Sequence, residues 1–471
     1  MSQSVVFVTP LGCRYNVMGG GGVQPRYGPV LLATILKKAG FDVRVIQENW
    51  LERPIRPQDI DADWLALSLY TSAAPNGYKI CEMYRTIRPN GRIVAGGVHP
   101  TFCPDDVLPH VDYVVKGEGE NIIVDLLKYG SNEKVIEGTP VADLDSLPIP
   151  DFSLLQGSNL YLRDYPIVTS RGCLYKCEYC PAWRLFGSSY RAMSPERVVE
   201  EMKAAPPYVK IKINDDNFAL DYKRCEQILD RLAAIGFSTP WFCVMNAARA
   251  RDSHFVKKMK AAGCHTVGIG IESLNDKAQK AGHTVGMAYE AVRNLLKHGI
   301  HADTYFMIGL DSDELEELPE IVNFCQREQV STYLLMILTP YPGTLLAERL
   351  EREGRIFERN WEYYDSMHIV FHPMNMSARD LQLEHTKLHK KLAGPASRLG
   401  DWLVCIADII RNPQDARRIQ YFARSRIQWK RNIYRIIRQW ERESRGYVEN
   451  LPDKCLFDKS RQGEAAQDQK E

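Results

Sequence analysis

Short runs of apolar, β-branched residues alternate with helical stretches along most of this chain, and this alternation constrains the fold more than any other feature. Strands that are separated by helices form parallel sheets whose faces the helices cover. Five such runs fall in the first 130 residues and predict a doubly wound α/β domain. The predicted strands are 5–9, 42–46, 64–69, 92–95 and 113–116.

A second series of strands follows a segment with paired prolines. Pro148 and Pro150 disfavour helix and stiffen the chain, so a linker is predicted over 146–164. Six strand–helix units after it indicate a curved parallel sheet, and in α/β folds of this kind the strand ends carry the site. The predicted strands are 166–170, 209–214, 241–245, 267–272, 302–309 and 333–338.

These two series set the predicted domain boundaries. The first domain is expected over 1–145 and the second over 165–355. A mainly helical region is expected over 356–457. The last residues, 458–471, are polar and rich in Gln, Glu and Lys, so we expect a disordered tail.

The composition places the chain among globular proteins and bounds its partners. Of its 471 residues, 45% are hydrophobic and 25% charged, which is enough for two or three buried cores. The net charge of +1 gives no bulk attraction to nucleic acid. We see no signal peptide and no run of about 20 apolar residues. The twelve cysteines do not resemble a disulfide framework, so the expected location is the reducing cytoplasm.

Three of these cysteines, Cys173, Cys177 and Cys180, lie close together after a turn-like segment. Their spacing lets three thiolates converge on one metal centre. Cubane clusters are normally held by four cysteines, so three without a fourth nearby would leave one iron open for a substrate or cofactor. A zinc knuckle would need a second ligand pair at short range, and chance is the other explanation. The loop predicts a [4Fe-4S] cluster that carries out chemistry.

The spacing Cys-x3-Cys-x2-Cys, with an aromatic residue before the last cysteine, resembles the signature of the radical SAM superfamily. In that family the open iron chelates S-adenosylmethionine (SAM), and an electron from the cluster cleaves it to a 5′-deoxyadenosyl radical. The resemblance implies that the three cysteines are the ligands and that Tyr179 lies near the adenine. It also implies an external electron donor of the flavodoxin or ferredoxin type. The family's partial (β/α)6 barrel matches the six predicted strands.

By the same resemblance, residues at three strand ends suit SAM. Those after the second strand lie where the family contacts the amino group, although they could equally be a helix N-cap. Glu272 ends the fourth strand, where a fixed carboxylate accepts hydrogen bonds from both ribose hydroxyls; the alternative is a structural salt bridge. Gly309 lets the backbone approach the adenine. The residues after the second strand are Asn214, Asp215 and Asp216.

Residues 27–43, 94–101 and 112–120 resemble the cobalamin-binding domain that precedes the radical SAM core in one large subfamily. The resemblance implies that glycine loops and backbone amides hold cobalamin. His99 is expected to contact the cofactor, or else to be a turn histidine that caps a helix. The remaining expected contacts are Gly96, Gly97, Gly117 and Glu118.

The cobalamin motif Asp-x-His-x-x-Gly, whose histidine binds cobalt from below, is absent. We therefore expect cobalamin to bind in the base-off form without a histidine ligand. A dinucleotide site is the competing assignment for a Rossmann-like domain, but Gly-x-Gly-x-x-Gly does not follow the first strand. Residues 11–16 resemble the start of the radical SAM methylthiotransferases, but a glycine run replaces the acidic residues that follow in that family.

The C-terminal region carries a basic amphipathic pattern. Ile433, Ile436, Ile437 and Trp440 have helical spacing, and arginines surround them. Such a helix can lie on an anionic membrane, which would place the protein at the inner face of the membrane. A helix packed on the barrel, with solvated arginines, is the favoured alternative. Residues 361–377 weakly resemble the end of the core in family members that act on lipids and tetrapyrroles.

These features together predict a cobalamin-dependent radical SAM enzyme that acts on a hydrophobic small-molecule substrate, such as a lipid, an isoprenoid or a tetrapyrrole. The family mechanism implies two options, which the sequence does not separate. In the first, methylcobalamin methylates a substrate carbon radical. In the second, cobalamin assists an oxidative ring closure or rearrangement. A non-enzymatic cobalamin sensor would explain the first domain but would leave the cysteine loop without a purpose.

Overall fold

Two parallel sheets and a helical C-terminal region make up the fold. The computed structural model describes residues 3–12, 24–51, 53–157, 164–187, 189–207, 209–276, 284–330, 332–411 and 413–455. The glycine run 19–22, Cys13 and the predicted tail from residue 458 lie outside this part of the chain.

The first sheet has seven strands in the order β6-β5-β4-β3-β1-β2-β7, and all pairs are parallel. The chain starts at the centre and winds outward in both directions, so the doubly wound prediction is confirmed. The strands are β1 (Ser4–Thr9), β2 (Asp42–Gln47), β3 (Trp64–Ser68), β4 (Arg92–Gly96), β5 (Tyr113–Lys116), β6 (Val135–Glu137) and β7 (Leu155–Gln156). The helices are α1 (Tyr27–Lys38), α2 (Ala74–Ile87), α3 (Val98–Phe102), α4 (Pro104–Val107) and α5 (Ile123–Tyr129).

The sequence prediction missed strands β6 and β7. Each is only two or three residues long, which is too short to show a two-residue period. Strand β7 falls inside the predicted linker, where Leu155 and Gln156 pair with Val45 and Ile46. That segment therefore extends the first sheet.

The second sheet has the six strands that the sequence predicted, in the sequential order β15-β14-β13-β12-β11-β8, with all pairs parallel. A short antiparallel hairpin, β9 with β10, stands apart from it. The strands are β8 (Asp164–Ile167), β9 (Ser170–Arg171), β10 (Arg191–Ala192), β11 (Lys210–Ile213), β12 (Trp241–Met245), β13 (Cys264–Glu272), β14 (His301–Ile308) and β15 (Thr332–Ile337). The helices are α6 (Ala182–Leu185), α7 (Pro195–Ala204), α8 (Tyr222–Ala234), α9 (Ala247–Ala250), α10 (Ser253–Ala261), α11 (Val285–Lys297), α12 (Glu320–Arg327) and α13 (Leu345–Arg352).

Helices α14 (Ala378–Ala393), α15 (Pro395–Arg411), α16 (Ala416–Glu443) and α17 (Arg445–Glu449) form the C-terminal region. The stripe on α16 faces the protein, since Ile433, Ile437 and Trp440 are at most 1% exposed. The indole Nε1 of Trp440 donates to Nε2 of His368 at 3.2 Å. The favoured alternative for this stripe, packing on the core, is therefore confirmed. Within the described residues no helix combines the length and the apolar character needed to cross a bilayer.

The carboxyl ends of the two sheets meet. Phe102, which closes α3 after β4, packs so closely on Gly343 that a Cβ there would lie 2.2 Å from its ring. Glu118 follows β5 and binds Arg171 in the hairpin that follows β8. Since parallel sheets carry their sites at these ends, the fold points its two candidate cofactor sites at each other.

A buried carboxyl also joins the two halves. Glu201 of α7 is fully buried, and its Oε1 accepts a hydrogen bond of 3.1 Å from the hydroxyl of Tyr27 on α1. Burial raises the pKa of Glu201 to about 7, against an ordinary value of 4.5. Between pH 4.5 and about 7 the carboxyl of Glu201 is therefore protonated in the folded chain and ionised in the unfolded chain. The contribution of Glu201 to stability is complete below pH 4.5 and is lost as the pH rises through about 7.

We expect Glu201→Gln to stabilise the protein at pH 8 by on the order of 2 kcal/mol, because the amide needs no proton to be buried neutral. The gain should shrink toward pH 5, where the wild-type carboxyl is already protonated. Thermal unfolding of both proteins across this pH range measures the effect. Glu200→Gln is the matched control, since that side chain is 64% exposed, and its gain should not depend on pH in this way. A pH-independent difference for Glu201→Gln would contradict the assignment.

Candidate functional site

The cysteine loop is closed at its base by the β9–β10 hairpin. Arg171 pairs with Arg191 across this hairpin, and Ser170 pairs with Ala192. Gly172 opens the loop with a φ of +89°, and a Cβ at this position would lie 2.2 Å from the carbonyl oxygen of Ser189. Only glycine fits this backbone. The hairpin therefore fixes where the loop leaves the barrel.

The three cysteines of the loop form no disulfide and are half-buried. Burial, together with the nearby charges of Asp216, Cys177 and Cys173, raises the pKa of Cys180 to about 11. The backbone N–H of Cys180 donates to the carbonyl of Cys177 at 3.2 Å. Among the described residues no three His, Cys, Asp or Glu side chains are arranged for a bare ion. Three neighbouring thiols do fit a [4Fe-4S] cluster, in which each cysteine would bind a different iron.

Asp215 braces the base of this loop. It is 3% exposed, and its carboxylate accepts four hydrogen bonds of 2.6–3.0 Å, from the backbone N–H and the hydroxyl of both Thr169 and Ser170. These bonds occupy both carboxylate oxygens. A contact of Asp215 with SAM thus stays a prediction without geometric support.

Asn214 and Asp216, by contrast, are accessible beside the loop. The carboxylate of Asp216 accepts the backbone N–H of Gly172. The surrounding protein removes part of its hydration, and together with the Asp215 charge this raises the pKa of Asp216 to about 6. Both side chains lie where the sequence predicted SAM contacts, and that role stays a prediction.

Glu272 ends β13 in a strained backbone. Its φ is +65°, a left-handed value that is rare for a residue with a side chain, and the pairing with β14 shifts register between Gly270 and Glu272. Such outliers cluster at binding sites, where the strain serves a function. Burial raises the pKa of Tyr179 well above its ordinary value, and the charge of Glu272 raises it further. Tyr179 and Glu272, which are far apart in sequence, thus lie close together.

Gly309, the predicted adenine contact, faces the C-terminal region. A Cβ there would lie 2.7 Å from Leu381 of α14. Its backbone N–H donates to Oδ2 of Asp313 at 2.9 Å. The glycine is therefore explained by close packing, and its approach to an adenine stays a prediction.

The glycine turns of the first sheet are held together at its carboxyl edge. Gly97 has a φ of +107°, and a Cβ there would lie 2.7 Å from the carbonyl oxygen of Leu69. The hydroxyl of Thr101 donates to the carbonyl of Gly97 at 2.7 Å and accepts the N–H of Gly117 at 3.0 Å. Gly96 lies half-buried at the end of β4. This edge, which lacks side chains at its glycines, fits a cofactor that is held by backbone groups.

His99 points into the protein. Its Nε2 lies 3.1 Å from Oδ2 of Asp106 and 3.3 Å from the hydroxyl of Tyr78, and Trp361 packs edge-on at 5.4 Å. Burial lowers the pKa of His99, so the ring is neutral at pH 7. The side chain is fully buried. The predicted contact of His99 with cobalamin is left without geometric support.

Glu118 binds two arginines that flank the cysteine loop. Its Oε2 accepts from Arg171 Nη1 at 2.7 Å, from Arg191 Nη1 at 3.1 Å and from the N–H of Val141 at 2.8 Å, while Oε1 binds Arg191 Nη2. Glu120 binds the other Nη of Arg171 at 2.6 Å. These four charged side chains are at most 13% exposed. We call Glu118, Glu120, Arg171 and Arg191 the ion cluster.

In the ion cluster, two arginines occupy the carboxylate of Glu118. The predicted contact of Glu118 with cobalamin therefore has no geometric support. Burial alone would raise the pKa of Glu118, but the hydrogen bonds and charges of its partners lower it below the ordinary value. Sequence reasoning did not find Arg171, Arg191 or Glu120. Two sequence features could have pointed to the ion cluster. Arg171 lies directly before the cysteine loop, and Glu118 and Glu120 lie in one glycine turn, and neither feature has an evident partner nearby in the sequence.

Comparison with known proteins agrees with this arrangement. The B12 binding domain family matches residues 19–127, and the Radical SAM superfamily matches residues 167–325. An uncharacterised methyltransferase of Pyrococcus horikoshii is 30% identical over 74% of this chain and 83% of its own. A bacteriochlorophyllide d C-12(1)-methyltransferase of Chlorobaculum tepidum is 27% identical over 82% of this chain and 86% of its own.

The fold is shared with a solved structure. OxsB, a cobalamin-dependent S-adenosylmethionine radical enzyme with aqua-cobalamin bound, aligns with a TM-score of 0.62 at 14% identity. The alignment covers 96% of this chain and 82% of OxsB. The fold and the site thus define a cobalamin-binding radical SAM enzyme. The chain belongs to the cobalamin-dependent radical SAM methyltransferase family, and its cofactors are a [4Fe-4S] cluster, SAM and cobalamin.

We expect Glu118→Gln to destabilise the protein by about 3 kcal/mol, because two buried guanidinium groups lose their shared counter-charge. Thermal or denaturant unfolding at pH 7 measures this loss. Glu137→Gln is the matched control: Glu137 binds Lys116 but is 73% exposed, so its change should cost less than about 1 kcal/mol. Equal losses for the two variants would contradict a stabilising role for the ion cluster.

Proposed function

We propose that the enzyme methylates an unactivated carbon of a hydrophobic substrate, of the lipid, isoprenoid or tetrapyrrole class. The observation that carries this proposal is the meeting of the two carboxyl edges, with the ion cluster fastening the glycine turns of the first sheet to the base of the cysteine loop. When bound, the cluster and SAM supply a 5′-deoxyadenosyl radical and cobalamin supplies a methyl group. The protein holds the radical source (the cluster with SAM) and the methyl source (cobalamin) in fixed positions relative to each other.

Each group of residues has a distinct part in this proposal. Cys173, Cys177 and Cys180 hold the cluster, with Asp215 bracing the loop. Tyr179 and Glu272 bind the adenosine part of SAM, and Glu272 accepts hydrogen bonds from the ribose hydroxyls. The accessible polar groups that receive the amino end of SAM are Asn214 and Asp216. An external electron donor of the flavodoxin or ferredoxin type reduces the cluster.

The relatives support the substrate class and the reaction. The Chlorobaculum tepidum relative is named for methylation of a bacteriochlorophyllide, which is a large and mostly apolar molecule. That name favours carbon methylation over the cobalamin-assisted cyclisation, which remains the alternative outcome. The methylthiotransferase alternative would need further cysteines near Cys13. Of the two candidates, Cys81 is buried and Cys103 half-buried.

We expect Glu272→Gln to weaken SAM binding by about 10- to 100-fold, because a charge-assisted pair of hydrogen bonds becomes a neutral one. Calorimetry with the cluster-loaded protein measures the affinity, and the iron content should not change. Glu316→Gln is the control, since Glu316 is exposed after the neighbouring strand β14. Glu272→Gly separates strain from binding: glycine accepts the positive φ, so this variant should bind SAM weakly yet fold no less stably. Unchanged SAM affinity in both variants would refute the role.

The reaction itself is tested with methyl-deuterated SAM. The anaerobically reconstituted protein is incubated with cobalamin, reductant and the lipid and pigment extract of a strain that lacks the gene. We expect 5′-deoxyadenosine together with a deuterated methyl group in an apolar product. Cys177→Ala should give neither, whereas Cys455→Ala, which changes an exposed cysteine far from the loop in sequence, should give both. 5′-Deoxyadenosine without label in any product would favour cyclisation or rearrangement and would overturn the methylation proposal.

A further inference from the structure

Helix α15 presents its apolar residues to solvent. Leu399, Trp402, Leu403, Ile406 and Ile410 are 42–74% exposed. Their spacing of three and four residues places them on one side of the helix, at about 100° per residue. Large apolar side chains scattered singly on a surface are ordinary, but a continuous row of five is not. We call this row the α15 face.

The polar side of the same helix is turned inward. Asp401 binds Arg426 at 3.2 Å and Lys430 at 2.9 Å, both on α16, and Lys430 also donates to Ser397 at 2.8 Å. Ser397 and Asp401 line a cavity of about 700 Å³ between α15, α16 and the barrel helices. On a helical projection these residues lie opposite the α15 face. Helix α15 thus buries its polar side and exposes its apolar side, which is the reverse of an ordinary surface helix.

The hairpin that carries the α15 face is basic. Residues 395–443, which form α15, α16 and their connection, contain eleven basic and five acidic residues, a net charge of +6 against +1 for the whole chain. The exposed side of α16 carries Arg424, Arg431, Arg435 and Arg438. Asp401 is neutralised by its two partners on α16. The hairpin of α15 and α16 therefore concentrates the positive charge of the protein.

An apolar face of this kind can be covered by a second copy of the chain or by a lipid surface. The charge of the hairpin distinguishes the two. A second copy of this chain would bring two hairpins of net charge +6 together, and their repulsion opposes that contact. An anionic lipid surface attracts the same charge, and a helix with tryptophan and aliphatic residues on one side inserts that side at the headgroup boundary. We propose that the α15 face docks the enzyme onto an anionic membrane surface. The stripe on α16, which the sequence analysis considered for this role, is buried instead.

Flotation with lipid vesicles tests this docking on the full, cofactor-loaded chain. We expect it to float with vesicles of phosphatidylglycerol and phosphatidylcholine at low salt, less at high salt, and far less with phosphatidylcholine alone. Leu403→Gln with Ile406→Gln should lower the partition coefficient at least about tenfold, because two inserting side chains become polar. The control pair is Ile235→Gln with Leu383→Gln, which are 52% and 50% exposed elsewhere, and it should change the value less than about twofold.

Three results would overturn the proposal. The wild type could fail to float with anionic vesicles at low salt. The two α15 substitutions could float like the control pair, which would place any membrane contact elsewhere. Light scattering could show a wild-type dimer that these substitutions convert to a monomer while neither form floats, which would assign the face to a second copy. Flotation needs no substrate or turnover, so its result is independent of the proposed methylation.

Discussion

The ion cluster is the interaction on which the working arrangement of this enzyme depends. Two carboxylates from one glycine turn and two guanidinium groups from one hairpin are buried together at the junction of the domains. Charges that leave water lose several kcal/mol of solvation each, and only mutual pairing with good geometry recovers it. A cluster of this kind tolerates little displacement, since a shift of either side would leave a buried charge unpaired. It therefore fixes how the first sheet sits against the cysteine loop.

The fixed position of the first sheet against the cysteine loop determines how the carboxyl ends of the two sheets can act together. The glycine turns tied by Thr101 lie on one side, and the cysteine loop, Asp216 and Glu272 lie on the other. Several groups here have unfavourable conformations or environments. Glu272 holds a left-handed backbone, and Asp215 is buried with its four hydrogen bonds. The surrounding parallel sheets, with cores buried to within a few per cent, provide the stability that supports these local costs.

The C-terminal helices divide their faces between the core and solvent in an unexpected way. Helix α16 has the stronger amphipathic pattern in the sequence, yet its isoleucines and Trp440 complete the core. Helix α15 has a weaker amphipathic pattern and exposes its apolar side to solvent. Its polar side faces α16, because Asp401 and Ser397 both bind Lys430. A hydrophobic pattern states that one side of a helix must be covered. It does not state whether the protein or something else covers it.

The sequence by itself determined the fold class and the chemistry. The alternation of strands and helices is a local signal, which is why five strands of the first sheet and all six of the second were predicted. The cysteine spacing is also local, since eight consecutive residues contain all three thiols. Only the tertiary structure decided which polar residues brace, which join the domains and which remain accessible. Asp215, Glu118 and His99 belong to residue types that bind cofactors as readily as they bind arginine or a backbone amide, and their partners lie 7 to 73 positions away along the chain. Pairing over such distances depends on how two sheets dock, and no periodicity or local spacing encodes it.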